Sequence, residues 1–124
     1  MNATAAQRIL AIDDELVVRR LLESTLGPGY EVVTLPSGED LQDLFESINP
    51  DLVILDIQMP NIDGYEIARR IRSWPSGANV PIMFLSGHYH DVEAIHEIEA
   101  SGAYLMTKPF HTQYLRRMVA TVLR

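Results

Sequence analysis

The stretch DLVILD, residues 51–56, decides the fold, because four consecutive aliphatic residues lie between two carboxylates. A run of this length is too short for an ordinary helix and is typical of a strand that is buried on both faces. Such strands belong to parallel sheets with helices on each side. The next residues, IQMPNIDGYE at 57–66, contain Pro60 and Gly64, which indicate a loop. This segment therefore predicts a central parallel strand and the loop that follows it.

Outward from this strand, short apolar runs alternate with helical patterns. The further predicted strands are residues 8–13, 30–35, 80–86 and 104–107. The predicted helices are residues 15–26, 39–48, a helix through Ile67, Ala68 and Ile71, residues 91–100, and residues 112–123. This order predicts an α/β fold with a five-stranded parallel sheet and helices on both faces. Because no repeat or linker is visible, we expect one domain over residues 1–124, with a core over about residues 8–123.

The composition excludes several classes of protein. With 124 residues, 47% of them hydrophobic and 22% charged, the chain has the size and balance of one soluble domain. The absence of cysteine excludes disulfides and thiolate metal sites. A net charge of −7 and a single lysine, Lys108, argue against a nucleic-acid surface. Neither a signal peptide nor a bilayer-spanning segment is visible. We therefore expect a cytoplasmic domain with no direct nucleic-acid or membrane partner.

Polar side chains stand at the carboxyl ends of four of the predicted strands. In chain order these residues are Asp13 and Asp14, Asp56, Ser86 and Lys108. The carboxyl ends of parallel strands share one edge of the sheet, and ligands bind beyond that edge. We therefore expect three carboxylates, one hydroxyl and the only lysine of the chain to converge there.

Each of these residues also has a purely structural explanation. Asp13 and Asp14 could cap the first helix, and Asp56 could cap a turn. Ser86 could satisfy loop backbone groups, and Lys108 could be a solvated surface charge. Capping alone does not explain why complementary polar groups occupy four strand ends together. The joint pattern favours a functional site.

The predicted cluster has the chemistry of a phosphoryl-transfer site. Three neighbouring carboxylates repel one another, so they shift their pKa values or recruit a cation. Oxygen ligands favour Mg²⁺ over Zn²⁺. The ammonium group of Lys108 suits a phosphoryl oxygen, and a carboxylate such as Asp56 can be the nucleophile that accepts the phosphoryl group. The four histidines, His88, His90, His96 and His111, show no metal-binding spacing, and we expect them to be solvated.

The sequence resembles the receiver domain of two-component response regulators, the CheY-like domains, over essentially its full length. Four segments carry the resemblance: ILAIDDE at 9–15, DLVILDIQMPNIDGYE at 51–66, LSG at 85–87 and TKPF at 107–110. An Asp followed by Met-Pro and then Asp-Gly is a specific signal, and the paired acids upstream and the Lys-Pro downstream add to it. The resemblance implies a doubly wound, flavodoxin-like (βα)5 fold.

The resemblance also implies a metal site and an acceptor. Asp56 would take a phosphoryl group from the phosphohistidine of a sensor histidine kinase or phosphotransfer protein. Asp14 and Asp56 would bind Mg²⁺ directly, together with the backbone carbonyl of Gln58. Asp13 would act mainly through a metal-bound water.

Two further residues would then handle the phosphoryl group. Lys108 would pair with Asp56 before transfer and with a phosphoryl oxygen afterwards, and Ser86 would donate a hydrogen bond to the same group. The peptide bond between Lys108 and Pro109 would be cis. The resemblance thus implies a signalling switch that catalyses its own phosphorylation and dephosphorylation, rather than an enzyme with a separate substrate.

The partner surface in such domains is formed by the fourth helix, the fifth strand and the fifth helix. A downstream protein or an output domain would bind there, although we expect no output domain within this chain. The oligomeric state does not follow from the sequence.

One position departs from the family pattern. Receiver domains usually carry an aromatic residue three positions before the lysine, and its rotamer couples to the Ser or Thr. This chain has Leu105 there, with Tyr104 one residue earlier. A local bulge could bring Tyr104 into the role, or the aromatic switch is absent; we favour an atypical switch.

Two other functions compete with the receiver interpretation. A Mg²⁺-dependent hydrolase with an aspartyl-phosphate intermediate typically carries a second acid two residues after its nucleophile, where this chain has Gln58. The chain is also too short for a substrate-binding cap. A degenerate receiver that only binds proteins would lack acceptor-site residues, and none is missing here.

Overall fold

The computed structural model describes residues 6–87, 96 and 98–124. Its strands are β1 (Arg8–Ile12), β2 (Glu31–Leu35), β3 (Leu52–Asp56), β4 (Ile82–Ser86) and β5 (Tyr104–Thr107). They form one sheet in the order β2-β1-β3-β4-β5, and every neighbouring pair is parallel. The five-stranded parallel sheet predicted from the sequence is confirmed.

Helices connect the strands. They are α1 (Leu16–Leu26), α2 (Leu41–Ile48), α3 (Gly64–Ser73) and the C-terminal helix (Thr112–Val122), with a 3₁₀ turn at Pro75–Gly77. Of the helix predicted over residues 91–100, residues 96 and 98–100 are helical, and the remainder lies outside the described residues. Within the part of the chain that the structure describes, no helix is long and apolar enough to span a membrane.

The core lies on both faces of the sheet. All five residues of β3 are buried, which confirms its central place. Its alternate residues point to opposite faces, because side chains alternate along a strand. Val53 and Leu55 join one apolar cluster with Phe45 of α2, whereas Ile54 joins a second cluster with Leu22 of α1. Helices therefore cover both faces, and the doubly wound α/β fold is confirmed.

This topology fixes where the polar strand ends meet. β1, β3, β4 and β5 are consecutive in the sheet after β2, so their carboxyl ends line one edge. Neighbouring strands are about 4.8 Å apart. Side chains that follow these four strands therefore come within reach of one another.

Candidate functional site

The carboxyl edge of the sheet brings together the residues that the sequence singles out. Asp13 directly follows β1, Asp56 ends β3 and Ser86 ends β4, and all three are buried. Lys108 directly follows β5, and its side chain is only 13% exposed. Lys108 is therefore not a solvated surface charge, and that structural explanation is wrong.

Four carboxylates form the acidic part of this edge. Asp13, Asp14, Glu15 and Asp56 each offer one oxygen, and these oxygens all lie within 4.8 Å of one another. Asp13 and Asp56 are buried, whereas Asp14 and Glu15 are exposed. We did not predict Glu15 as part of the site. The signal was nonetheless present, because Glu15 is the third consecutive acid after the first strand and stands just before α1.

Lys108 is shared among three of these acids. Its Nζ lies 2.9 Å from Asp13 Oδ2, 3.0 Å from Glu15 Oε1 and 3.3 Å from Asp56 Oδ1. Glu15 Oε1 accepts a hydrogen bond from Lys108. Asp13 Oδ2 and Asp56 Oδ1 are the buried side-chain oxygens that receive no hydrogen bond, among the residues described. The ammonium group thus contacts both buried carboxylates and the exposed carboxylate of Glu15 at the same time.

These contacts change the pKa of Lys108. Burial lowers this pKa, but the close contacts with Asp13 and Glu15 and the negative charges of Asp13 and Asp56 raise it, and the net result is a raised pKa. The lysine is therefore held in its charged form. The backbone N–H of Lys108 donates to Ser86 O at 2.7 Å, which joins the ends of β5 and β4. The Lys108–Pro109 peptide bond is cis, as the resemblance implies.

Burial also raises the pKa of Asp56. The loss of hydration and the neighbouring charge of Asp13 raise this pKa, Lys108 lowers it, and a hydrogen bond with Asp14 raises it again, to a net value of about 7 from 3.8. The ionised form of Asp56 is therefore unfavourable when no metal ion is bound beside it. Positive charge brought to the site would favour the ionised, nucleophilic form.

The loop after β1 uses one oxygen of Asp13 and leaves the other for the site. Asp13 Oδ1 accepts the backbone N–H of Glu15 at 2.9 Å, and Asp13 O accepts Arg19 Nη1 at 2.8 Å. The N-cap of α1 is Glu15, which makes no side-chain cap hydrogen bond. Helix capping therefore does not account for Asp13 and Asp14.

Ser86 contacts the side chain of Gln58. Ser86 Oγ donates a hydrogen bond to Gln58 Oε1 at 3.1 Å. The resemblance assigns Gln58 a role through its backbone carbonyl alone. The structure adds its amide side chain, which lies two residues after Asp56 and contacts the hydroxyl on the neighbouring strand.

The donor set fits a hard divalent cation. All of its side-chain ligands are carboxylate oxygens, which suit Mg²⁺ better than Zn²⁺. Two of these oxygens, Asp13 Oδ2 and Asp56 Oδ1, are buried and share the single positive charge of Lys108, so two buried negative charges are only partly compensated. Asp14 and Glu15 complete the group at the solvent side.

Position 105 keeps its place in the strand. β5 pairs with β4 without interruption, from Met83 opposite Tyr104 to Ser86 opposite Thr107. No bulge therefore moves Tyr104 into the position of Leu105. Leu105 packs against the cluster that contains Phe84, whereas Tyr104 is 39% exposed.

Two of the four histidines lie within the described residues. His96 and His111 are exposed, as expected, whereas His88 and His90 lie outside the described residues.

Comparison with known proteins identifies the family. Residues 9–120 match the response regulator receiver domain. "Probable transcriptional regulator ycf27" of Galdieria sulphuraria is 36% identical over 124 residues, which are 99% of this chain and 48% of that protein. "Response regulator MprA" of Mycolicibacterium vanbaalenii is 35% identical over 118 residues, 94% of this chain and 50% of that protein. The chain thus spans about half the length of these curated relatives.

A solved structure agrees in fold over nearly all of the chain. The chemotaxis protein CheY4 of Vibrio cholerae has a TM-score of 0.86 and 30% sequence identity, and the match covers 96% of this chain and 100% of that one. The family match, the common fold and the acidic edge beside Lys108 lead to the same assignment. This chain belongs to the response regulator receiver domain family, whose members act in two-component signal transduction.

Proposed function

We propose that this chain is the phosphoacceptor of a two-component system and that Asp56 is the acceptor residue. The observation that carries the proposal is the environment of Asp56 Oδ1. This oxygen is buried, receives no hydrogen bond and lies 3.3 Å from the Nζ of Lys108. A carboxylate oxygen that is kept available beside a fixed positive charge suits nucleophilic attack on an anionic phosphoryl group.

Mg²⁺ is the cofactor that these residues would hold. Asp14 and Asp56 would be direct side-chain ligands, the backbone carbonyl of Gln58 a third ligand, and Asp13 would act through a bound water. The cation would supply charge neutralisation between the acceptor carboxylate and the incoming phosphoryl oxygens.

The transfer itself needs little acid–base chemistry. An oxygen of Asp56 attacks the phosphorus atom of a phosphohistidine on a kinase or phosphotransfer protein. As the new P–O bond forms, the P–N bond breaks, and its electron pair stays with the imidazole, which takes up a proton. Lys108 contacts a phosphoryl oxygen, and Ser86 turns from Gln58 to donate its hydrogen bond to another. Water then attacks the same phosphorus atom, the P–O bond to Asp56 breaks, and inorganic phosphate leaves as the carboxylate is restored. In this way the domain would catalyse both its phosphorylation and its dephosphorylation.

The signal would pass to a partner through the neighbouring strand ends. Ser86 is the last residue of β4, and Lys108 directly follows β5. A change in the contacts of these two residues would therefore alter that part of the sheet. We propose that the chain is one receiver domain and that β5, the C-terminal helix and the predicted fourth helix form the partner surface. The curated relatives named above are regulators of about twice this length, which supports an output carried by a further domain or a separate protein.

The competing hydrolase gains no support. An aspartyl-phosphate hydrolase typically carries a second acid two residues after the nucleophile, whereas Gln58 at that position is an amide that accepts a hydrogen bond from Ser86. A degenerate receiver is equally unsupported, because the acceptor, the lysine and the hydroxyl are all brought together.

Acetyl phosphate, a small phosphoryl donor, tests this proposal. With Mg²⁺ we expect the intact mass to increase by one phosphoryl group, and with EDTA we expect no increase, because the carboxylates would then repel the donor. Asp56→Asn should abolish the increase. Asp43→Asn, an exposed position on α2, is the matched control and should leave it unchanged. Equal labelling of Asp56→Asn and wild type would overturn the proposal.

A further inference from the structure

The backbone carbonyl of Asp13 accepts a hydrogen bond from a charged side chain. The donor is Arg19 Nη1, 2.8 Å away in a partly buried contact. This carbonyl belongs to the peptide unit that joins Asp13 to Asp14, so it links a buried member of the carboxylate cluster to an exposed one. Within the described part of the chain, Arg19 forms no ion pair with a carboxylate. Its guanidinium group therefore holds the backbone of the site rather than neutralising its charge.

The other groups of Asp13 are also held. Its N–H donates to Leu35 O at 3.1 Å, and its Oδ1 accepts the N–H of Glu15 at 2.9 Å. Arg19 is the fourth residue of α1, and its side chain reaches back over the start of the helix, the direction in which helical side chains lean. The bond from Arg19 thus fixes the last free backbone group of Asp13, on the side that faces Asp14.

We propose that Arg19 is a positioning residue for the cation site: it fixes the peptide between Asp13 and Asp14 and so presents the exposed carboxylate of Asp14 to Mg²⁺. A ligand whose backbone is fixed in advance loses less conformational freedom when the metal binds. The inference rests on the proposed function in taking Asp14 as a direct ligand. It goes beyond that function, because neither the sequence analysis nor the family resemblance assigns Arg19 a role.

Positioning and simple charge predict opposite effects of removing Arg19. A guanidinium group is always protonated, and a positive charge close to a cation site repels the cation. Loss of the charge alone would therefore strengthen Mg²⁺ binding. Loss of positioning would weaken it, because the peptide that carries Asp14 would no longer be held. The sign of the change separates the two roles.

Arg19→Met removes the guanidinium group and keeps an unbranched side chain. We expect the dissociation constant for Mg²⁺, measured by isothermal titration calorimetry on the unphosphorylated protein, to rise about three- to tenfold. This is at or below the lower end of the cost of losing a group that orients a metal ligand. Arg20→Met is the matched control, because Arg20 is the next residue of α1, carries the same charge and is exposed. This control should bind Mg²⁺ within about twofold of wild type, since the charge of an exposed side chain is largely screened.

A double-mutant cycle tests whether Arg19 acts through Asp14. In the Asp14→Asn background the carboxylate that Arg19 positions is gone, so Arg19→Met should weaken Mg²⁺ binding less than it does in wild type. A general loosening of the fold would instead weaken binding by the same factor in both backgrounds.

Hydrogen exchange in metal-free protein gives a readout that does not depend on the cation. The N–H of Glu15 donates to Asp13 Oδ1, so its exchange reports opening of the loop after β1. We expect this exchange, followed by NMR, to be about two- to tenfold faster in Arg19→Met, the range for loss of one hydrogen bond. The N–H of Asp51, which donates to Arg8 O at the other end of β1, should exchange as in wild type.

The outcomes are distinct. Weaker Mg²⁺ binding in Arg19→Met than in Arg20→Met, a smaller effect in the Asp14→Asn background and faster exchange of the Glu15 N–H support the inference. Unchanged or tighter Mg²⁺ binding in Arg19→Met, an equal effect in that background, or unchanged exchange overturns it. Failure of the proposed function would be seen separately, as wild type and Asp14→Asn binding Mg²⁺ equally or as the absence of phosphoryl transfer to Asp56.

Discussion

Leu105 shows how a single residue can depart from a family pattern without disturbing the fold. It lies opposite Phe84 on β4 and packs into the apolar cluster on that face of the sheet. An aromatic side chain at this place could change rotamer and carry a polar group with it, whereas Leu105 has no hydrogen-bonding atom in its side chain. Any coupling between Leu105 and Ser86 must therefore act through packing. The pairing of β4 with β5 leaves no bulge through which Tyr104 could replace it.

Alanine substitutions at Leu105 and Tyr104 should show which of the two side chains contributes more to the stability of the core. We expect Leu105→Ala to lower the free energy of unfolding by about 2 kcal/mol, because a partly buried aliphatic side chain leaves a cavity. Tyr104→Ala should cost less than about 1 kcal/mol, because the ring is 39% exposed. Urea unfolding followed by circular dichroism measures both values. A larger loss for Tyr104→Ala would contradict the assignment of Leu105 to the core.

The junction between β3 and α3 is the element that sets the acceptor in place. Gly64, the first residue of α3, donates its N–H to Ile57 O at 3.0 Å. A Cβ at this position would overlap the backbone carbonyl oxygen of Asp56. The N-cap Asp63 accepts the N–H of Glu66 at 2.9 Å and so fixes the start of the helix. The close approach of α3 to the acceptor strand therefore requires a glycine.

Substitution of Gly64 should disturb both stability and the site. We expect Gly64→Ala to destabilise the fold by about 2 kcal/mol, the usual cost of overpacking, and to slow phosphorylation by acetyl phosphate because Asp56 is displaced. The control is Gly29→Ala, where an added Cβ meets nothing within 4 Å. That variant should be as stable as wild type or slightly more stable. Equal effects of the two substitutions on urea unfolding would rule out the close approach as the cause.

Strand and helix identity followed from sequence pattern, but several boundaries did not. The predicted strand over residues 80–86 begins two residues later, at Ile82, because Pro81 has no N–H for the ladder. The predicted helix over residues 39–48 begins at Leu41, because Asp40 has a left-handed backbone with φ of 57°. Such limits depend on local backbone angles that apolar periodicity does not encode.

At the scale of the whole molecule, the site carries more negative charge than its surroundings compensate. Four carboxylates face one lysine at an edge of a sheet whose other groups are mostly apolar. The pKa of Asp56 is raised to about 7, chiefly because the residue is buried. The fold therefore gives up stability at the site, which is common where residues are arranged for function.

The pH dependence of stability follows from this pKa. Between 3.8 and about 7 the folded protein holds a proton on Asp56 that the unfolded chain releases, so the contribution of Asp56 to stability is lost as pH rises through this interval. In metal-free buffer, the free energy of unfolding of Asp56→Asn should therefore rise relative to that of wild type, by about 2 kcal/mol between about pH 5 and about pH 8. Urea unfolding at a series of pH values measures the difference. A difference that stays constant with pH would contradict the raised pKa.

Mg²⁺ should restore part of this stability, because a ligand that binds only the folded state stabilises it. We expect the thermal unfolding midpoint of wild type to rise with Mg²⁺ concentration near neutral pH, and that of Asp56→Asn to rise much less. EDTA should abolish the rise. Equal increases of the unfolding midpoint in wild type and in Asp56→Asn would show that Mg²⁺ binds at a site that does not include Asp56.

The convergence of the site residues was predictable, whereas their contacts were not. The rule that the carboxyl ends of parallel strands share one edge was enough to predict that Asp13, Asp56, Ser86 and Lys108 lie close together. That Lys108 lies nearest to Asp13 and donates a hydrogen bond to Glu15 depends on side-chain torsions and on the loop after β1. The cytoplasmic location stays a prediction from composition.

The central claim, that Asp56 is the residue that accepts the phosphoryl group, is tested most directly by chemical trapping. Protein phosphorylated by acetyl phosphate with Mg²⁺ is treated with borohydride, which reduces an aspartyl phosphate to homoserine, and peptides are then sequenced by mass spectrometry. We predict homoserine at position 56, and none in protein incubated with EDTA in place of Mg²⁺. Homoserine at Asp13 or Asp14, with an unmodified Asp56, would contradict the assignment.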